Sequence, residues 1–253
     1  MKIKFYKLVL LISFIFLFQG CSFTQDNVRS IAQTNSAIKL TNSKNQVLKY
    51  LIDYKKKLDL RNPSAYNKNI RSDIYNQIKT NQDYINLIQD NKKLHTYQEY
   101  FLHAFSKEEV RNRNDLLIIG LYKLIYKAYL LNENHKFTAM QYNSLDMLTL
   151  YKYLQVIRWK IRTATDNNDN YLFVTWQNNW QLELMKKDIS DLNIIKELKY
   201  IKNKEETVFS HSNFSFEVLI TLMLANVEAS LKEINVEPYE LSISALKSFI
   251  FVL

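Results

Sequence analysis

NDLLIIGLYKLIYKAYLL, residues 114–131, reads as a helix that has to lie inside a protein. Asn114 and Asp115 are of the residue types that cap helix starts. From Leu116 to Leu131, the residues Leu116, Leu117, Ile118, Ile119, Leu121, Leu124, Ile125 and Ala128 leave few polar faces. With Lys123 and Lys127 inside it, this run falls short of the ~20 predominantly apolar residues that a spanning helix needs, so a buried central helix is expected. Gly120 costs such a helix about 1 kcal/mol relative to alanine. Its expected use is to let a neighbouring helix approach closely.

On either side the pattern stays helical. Val47, Leu48, Leu51, Ile52 and Leu58 recur at three- and four-residue steps and predict a helix over about 42–60, ended by Asn62 and Pro63. Ile70, Ile74, Ile78, Ile85 and Ile88 extend the spacing through a longer helical stretch over 64–103, with room for one break. Further helices are expected over 144–163, with Leu145, Leu148, Tyr151, Val156, Trp159 and Ile161 available for burial, and over 188–203, 214–234 and 240–253. The whole is expected to be an all-α irregular bundle of six to eight helices, with residues 42–253 as one helical domain.

Glycine usage agrees. The 253 residues contain two glycines and two prolines, against average usage of roughly 7% and 5%. Sheet proteins need such residues for tight turns, and nucleotide-binding loops need glycines for close backbone approach to phosphate. Neither the dinucleotide fingerprint, the P-loop nor the nucleophile elbow occurs. No cofactor is expected.

The N-terminus carries a different signal. Lys2, Lys4 and Lys7 precede an apolar run from Leu8 to Phe18, too short to span a bilayer and of the length of a secretory signal. Phe18, Gln19, Gly20 and Cys21 follow. This tetrapeptide resembles the lipobox of bacterial lipoproteins: Gly20 and Cys21 match it, while Phe18 and Gln19 stand where leucine and a small residue are usual. The resemblance covers residues 1–21. It implies cleavage of residues 1–20, diacylation of the Cys21 thiol, and a membrane-held protein of the bacterial envelope. Ser22 after the cysteine points, by the same resemblance, to the outer membrane. Residues 21–41 are expected to form a lipidated tether. Cys21 is the only cysteine, so an intramolecular disulfide is impossible and lipidation gives the thiol a use.

The full sequence carries a net charge of +9. The signal holds three lysines and no acids, which leaves 31 basic and 25 acidic residues from Cys21 onward, a net +6. The basic residues, including the run Lys55, Lys56 and Lys57, are expected on solvated helix faces. Export argues against nucleic acid as a partner; envelope proteins, and peptidoglycan, remain the expected ones.

Three constellations bear on chemistry. His95, Glu99 and His103 share one face if the helix is continuous, opposite Leu94, Tyr97, Phe101 and Phe105; a solvated face is the expectation and a metal site the alternative. Asp166, Asn168 and Asn170 alternate as in a calcium loop, but Tyr171 stands where glycine is needed and Gln177 where a bidentate glutamate belongs, so a capped polar turn is expected. Tyr171, Phe173, Trp176, Gln177, Asn178, Asn179, Trp180 and Gln181 combine aromatic faces with amides, as sugar-binding surfaces do, although the spacing also describes a core-facing stripe. Glu99, Glu183 and Glu217 are the carboxylates considered for acid–base chemistry. Two functional readings follow: a non-enzymatic envelope scaffold or assembly partner, and a glycan-binding or wall-processing protein working through residues 176–181.

The lipid reading has a direct test. Metabolic labelling with an alkyne fatty acid should mark the wild-type protein and leave Cys21→Ser unmarked.

Overall fold

The computed structural model describes residues 35–132, 141–175 and 211–237. They form six α-helices and one two-stranded hairpin. Helix α1 covers residues 35–61. A 3-10 turn, Lys68–Ile70, leads into α2, Arg71–Lys79. Strands β1, Ile88–Gln89, and β2, Lys92–Lys93, pair antiparallel with Ile88 opposite Lys93. Then follow α3, Tyr97–Ala104, α4, Arg113–Ala128, α5, Ser144–Thr163, and α6, His211–Glu233.

The four longest helices, α1, α4, α5 and α6, pack side by side, and their contacts fix the directions. Tyr54 of α1 meets Phe216 of α6 ring edge to ring face at 5.4 Å, while Ser36 and Lys39 at the other end of α1 hold Glu233, each at 2.8 Å. These two helices are therefore antiparallel. Lys127 pairs with Asp146 at 2.9 Å, and Arg158 pairs with Glu217, so α5 opposes both α4 and α6. Buried Tyr129 and Ser230 share a hydroxyl hydrogen bond of 2.8 Å.

Helix α4 is the centre of this packing. Every residue from Arg113 to Ile125 is buried. Each fully buried leucine or isoleucine stabilises the fold by about 1.5–3 kcal/mol. Gly120 has the packing role expected: a Cβ there would lie 2.9 Å from Tyr100 Cβ and 2.8 Å from Phe101 Cε1. The Phe101 ring edge could turn aside, but Tyr100 Cβ is fixed to its backbone. Helix α3 sits close against α4 because residue 120 has no side chain.

Several expectations need correction. Residues 35–41, read as tether, are helical: Leu40 is fully buried, and Ser36 and Lys39 anchor Glu233. The stretch 64–103 does contain a break, but a long one: residues 80–96 are not helical, and neither are residues 64–67. Ile70, Ile74 and Ile78 follow the helical spacing, but α2 ends at Lys79 and Ile85 and Ile88 lie outside any helix, Ile88 being 68% exposed. The hairpin that follows turns through Asp90 and Asn91, both at positive φ, 50° and 61°. Asp and Asn tolerate that region, so the turn forms without glycine. Asn114 and Asp115 are not caps: Asn112, at φ 57°, is the N-cap, and both residues are buried in the first turn of α4, which ends at Ala128 rather than Leu131. Helix α5 has the expected bounds, with the Asn143 side chain accepting from the Leu145 and Asp146 N–H groups. Leu145 and Trp159 are nevertheless exposed, at 66% and 60%. The helices expected over 188–203 and 240–253 lie outside the described residues.

Lys55 is the largest correction. It is fully buried rather than solvated. Its ammonium sits 2.6 Å from Asp115 Oδ1 and 3.0 Å from Asp59 Oδ2, and both carboxylates are also buried. Asp115 accepts the Asn67 N–H at 2.7 Å, and Arg71 lies 3.3 Å from Asp59. The rings of Tyr66 and Tyr75 face the Lys55 ammonium at 5.4 and 5.8 Å. Burial pushes the Asp115 carboxyl up, opposed by the Lys55 charge and the Asn67 N–H. Stripping one partner from such a centre leaves an uncompensated buried charge. Lys55→Met should therefore lower unfolding free energy by about 3–5 kcal/mol in urea titration, and combining it with Asp59→Asn and Asp115→Asn should recover part of that loss.

Candidate functional site

A groove of about 930 Å³ opens between α3, the 105–111 loop and the C-terminal half of α5. Its floor is aromatic and aliphatic. Phe101 stacks on Tyr153 at 5.7 Å with 26° between the planes, and Val156 and Ile157 continue the surface along α5. Phe105 closes one end and packs edge-on against buried Phe173 at 5.4 Å. Lys160 lies over the Phe105 ring at 5.2 Å, and burial lowers its pKa. Around the rim stand Asp90, His103, Glu108, Glu109 and Arg111, with Leu102 72% exposed beside them.

The loop that forms one wall is held chiefly by Arg113. The Arg113 guanidinium donates to the carbonyls of Ala104 and Ser106 at 2.8 Å and of Glu108 at 2.7 Å. Burial lowers its pKa, and Asp166 opposes that shift. The wall is braced further by Gln89 Nε2 on the Arg111 carbonyl at 3.4 Å and by Asn167 Nδ2 on Glu108 Oε1 at 3.3 Å. An apolar floor with a few fixed polar groups is the ordinary make-up of a binding cleft.

The residues singled out in the sequence are distributed differently. His95 precedes Thr96, the N-cap of α3, so His95, Glu99 and His103 do not share a helical face. Glu99 closes a capping box with Thr96 and also accepts from the His95 N–H at 2.9 Å and from Lys92 at 2.7 Å. Lys92 and these backbone N–H groups hold its carboxyl well below the usual carboxylate range. His103 lies on the groove, its Nδ1 3.8 Å from Asp90. Among the described residues no three His, Cys, Asp or Glu side chains are grouped to hold a metal ion.

Asp166, Asn168 and Asn170 form the capped turn expected. The Asp166 carboxylate accepts from the Asn170 and Asn168 N–H groups, which lower its pKa, and the Thr165–Tyr171 bridge closes the turn. Tyr171 is half-buried there. Phe173 belongs to the core. Glu217 is spent on Arg158. Trp176, Gln177, Asn178, Asn179, Trp180, Gln181, Glu183 and Cys21 lie outside the described residues.

Sequence reasoning missed the groove, whose walls come from α3 and α5 and meet only in the fold, and it missed Arg113. A fork of donors reaching three carbonyls is not supplied by an ammonium. Arg113→Lys should cost about 2 kcal/mol of stability and accelerate amide exchange across residues 105–111, with α5 amides unchanged.

Searches against protein-family models, curated proteins and solved structures find no match to this chain.

Proposed function

We propose that this chain is a lipid-anchored protein of the bacterial envelope, held at the outer membrane through Cys21, whose helical body works without catalysis as a scaffold or assembly partner. The observation that carries the contact-based reading is the groove. It combines an aromatic floor with an exposed leucine, Leu102, on a braced rim, and solvent-facing apolar surface framed by polar groups marks interaction sites. Lipid on Cys21 would keep that surface near other envelope components. None of the described helices is long and apolar enough to cross a membrane, so attachment in this reading depends on the acylated N-terminus.

The glycan-binding alternative rests on residues 176–181. The segment just before them adjoins the groove: Phe173 packs on Phe105, and Asn167 bonds Glu108. One experiment separates the two readings. A photo-crosslinking amino acid replaces Leu102 or, as a control, the exposed Leu145, and cells are irradiated. Discrete adducts that protease digests are expected from position 102 and not from 145, in the membrane fraction for the wild-type anchor. Adducts removed by a muramidase would favour the glycan reading, and equal labelling at both positions would overturn the groove as the contact surface.

A further inference from the structure

We propose that the groove between α3 and α5 receives a basic, amphipathic segment of a partner protein, seated by apolar side chains on the aromatic floor and held by carboxylates at the rim. This inference rests on the contact-based reading above and adds the chemistry of the partner.

The floor sets the first requirement. Half-buried Phe105 and Tyr153 flank the buried Phe101, Val156 and Ile157, and Leu102 extends that surface outward at 72% exposure. A bound segment has to bring apolar side chains to gain from desolvating them.

The distribution of charge sets the second. Away from the groove and the turn beside it, nine of the eleven described acids are matched by a described lysine or arginine, Asp73 and Glu237 being the exceptions. Asp53 pairs with Lys56, Asp83 with Lys123, Glu99 with Lys92, Asp146 with Lys127, Glu228 with Lys232 and Glu233 with Lys39. Asp59 and Asp115 share Lys55, and Glu217 holds Arg158.

The groove departs from this pattern. Asp90, Glu108 and Glu109 line it, and among the described residues none of the three has a lysine or arginine partner. Asp90, with its side chain 86% exposed, has only His103 at 3.8 Å, and Glu108 has the neutral amide of Asn167. The adjoining turn adds Asp166 and Asp169, neither ion-paired to a described lysine or arginine, and that turn is bonded to the rim through Asn167. The cations that line the groove are Arg111 and Lys160, and Lys160 is folded onto the Phe105 ring. Unmatched carboxylates around an apolar floor complement lysines or arginines flanking an apolar anchor, and such rim charges set specificity and association rate. An acidic segment would meet the three groove carboxylates against Arg111 and Lys160.

The test uses the full-length protein in detergent and fluorescent synthetic peptides. One peptide carries leucines spaced a helical turn apart and flanked by lysines; a second has glutamates in place of the lysines, and a third serines in place of the leucines. Only the first should bind. Its Kd should rise at least about tenfold with Leu102→Ser, and likewise with Glu108→Lys and Glu109→Lys combined. Added salt should weaken binding, and Leu145→Ser should leave it unchanged. These positions are exposed, and unaltered circular dichroism of each variant would confirm that the fold persists.

Equal binding of the glutamate peptide, or affinity indifferent to the rim variants, would overturn the proposal. So would sedimentation of the wild type as a dimer that Leu102→Glu dissociates, which would make the occupant a second copy of this chain. Protein crosslinks from position 102 without any peptide binding would remove this inference while leaving the scaffold reading in place.

Discussion

The Lys55 ammonium has no access to water, and much of the structure follows from that constraint. An isolated charge in such a place is prohibitively costly, so it persists only with its counter-charges in place. Asp59 comes from one turn further along α1, whereas Asp115 comes from the first turn of α4, sixty residues away in sequence. The Lys55–Asp115 contact therefore fixes how the end of α1 meets the start of α4. The Asn67 N–H on Asp115 draws the intervening loop into the same centre, and Arg71 adds the start of α2. The apolar core supplies most of the stability, while this centre constrains the alignment in which the core packs.

Three consecutive residues at the start of α4 face three ways and connect that centre to the groove. Arg113 holds the carbonyls of the 105–111 loop, and Asn114 reaches the Leu58 and Asn62 carbonyls at the end of α1. Asp115 holds Lys55. One helical turn thus secures both the buried ionic centre and one wall of the groove. The other wall depends on Gly120, since α3 lies against α4 where a Cβ would collide with Tyr100. The groove is a consequence of how α3, α4 and α5 dock, with its rim supplied by the 105–111 loop and the hairpin.

Helical periodicity recovered α4, α5 and α6 to within a few residues because each has an apolar pattern long enough to outweigh local ambiguity. It failed between residues 80 and 95, where isoleucines at helical spacing continue past the end of α2. The break there is made by Asn81, Asp90 and Asn91 at positive φ, which do without glycine the work that glycine usually signals. The same break moved His95 off the helix and dissolved the expected histidine face. Lys55 carried a signal that was legible in principle. It stands four residues after Leu51 and three before Leu58, on the buried face of α1, although its lysine neighbours made the run look like solvated surface.

Local patterning in the sequence specifies the helical class, the burial of the central helix through residues 116–125, the packing role of Gly120 and the capped turn at Asp166. These depend on local periodicity and on which residue types suit which backbone. The tertiary structure alone decided that Lys55 is buried, that Asn114 and Asp115 brace other elements instead of capping their own, and that Leu102, Phe105 and Tyr153 meet across a groove. These are pairings between residues far apart in the chain. No local pattern encodes them, because the partner that makes a buried charge tolerable arrives only when the helices dock.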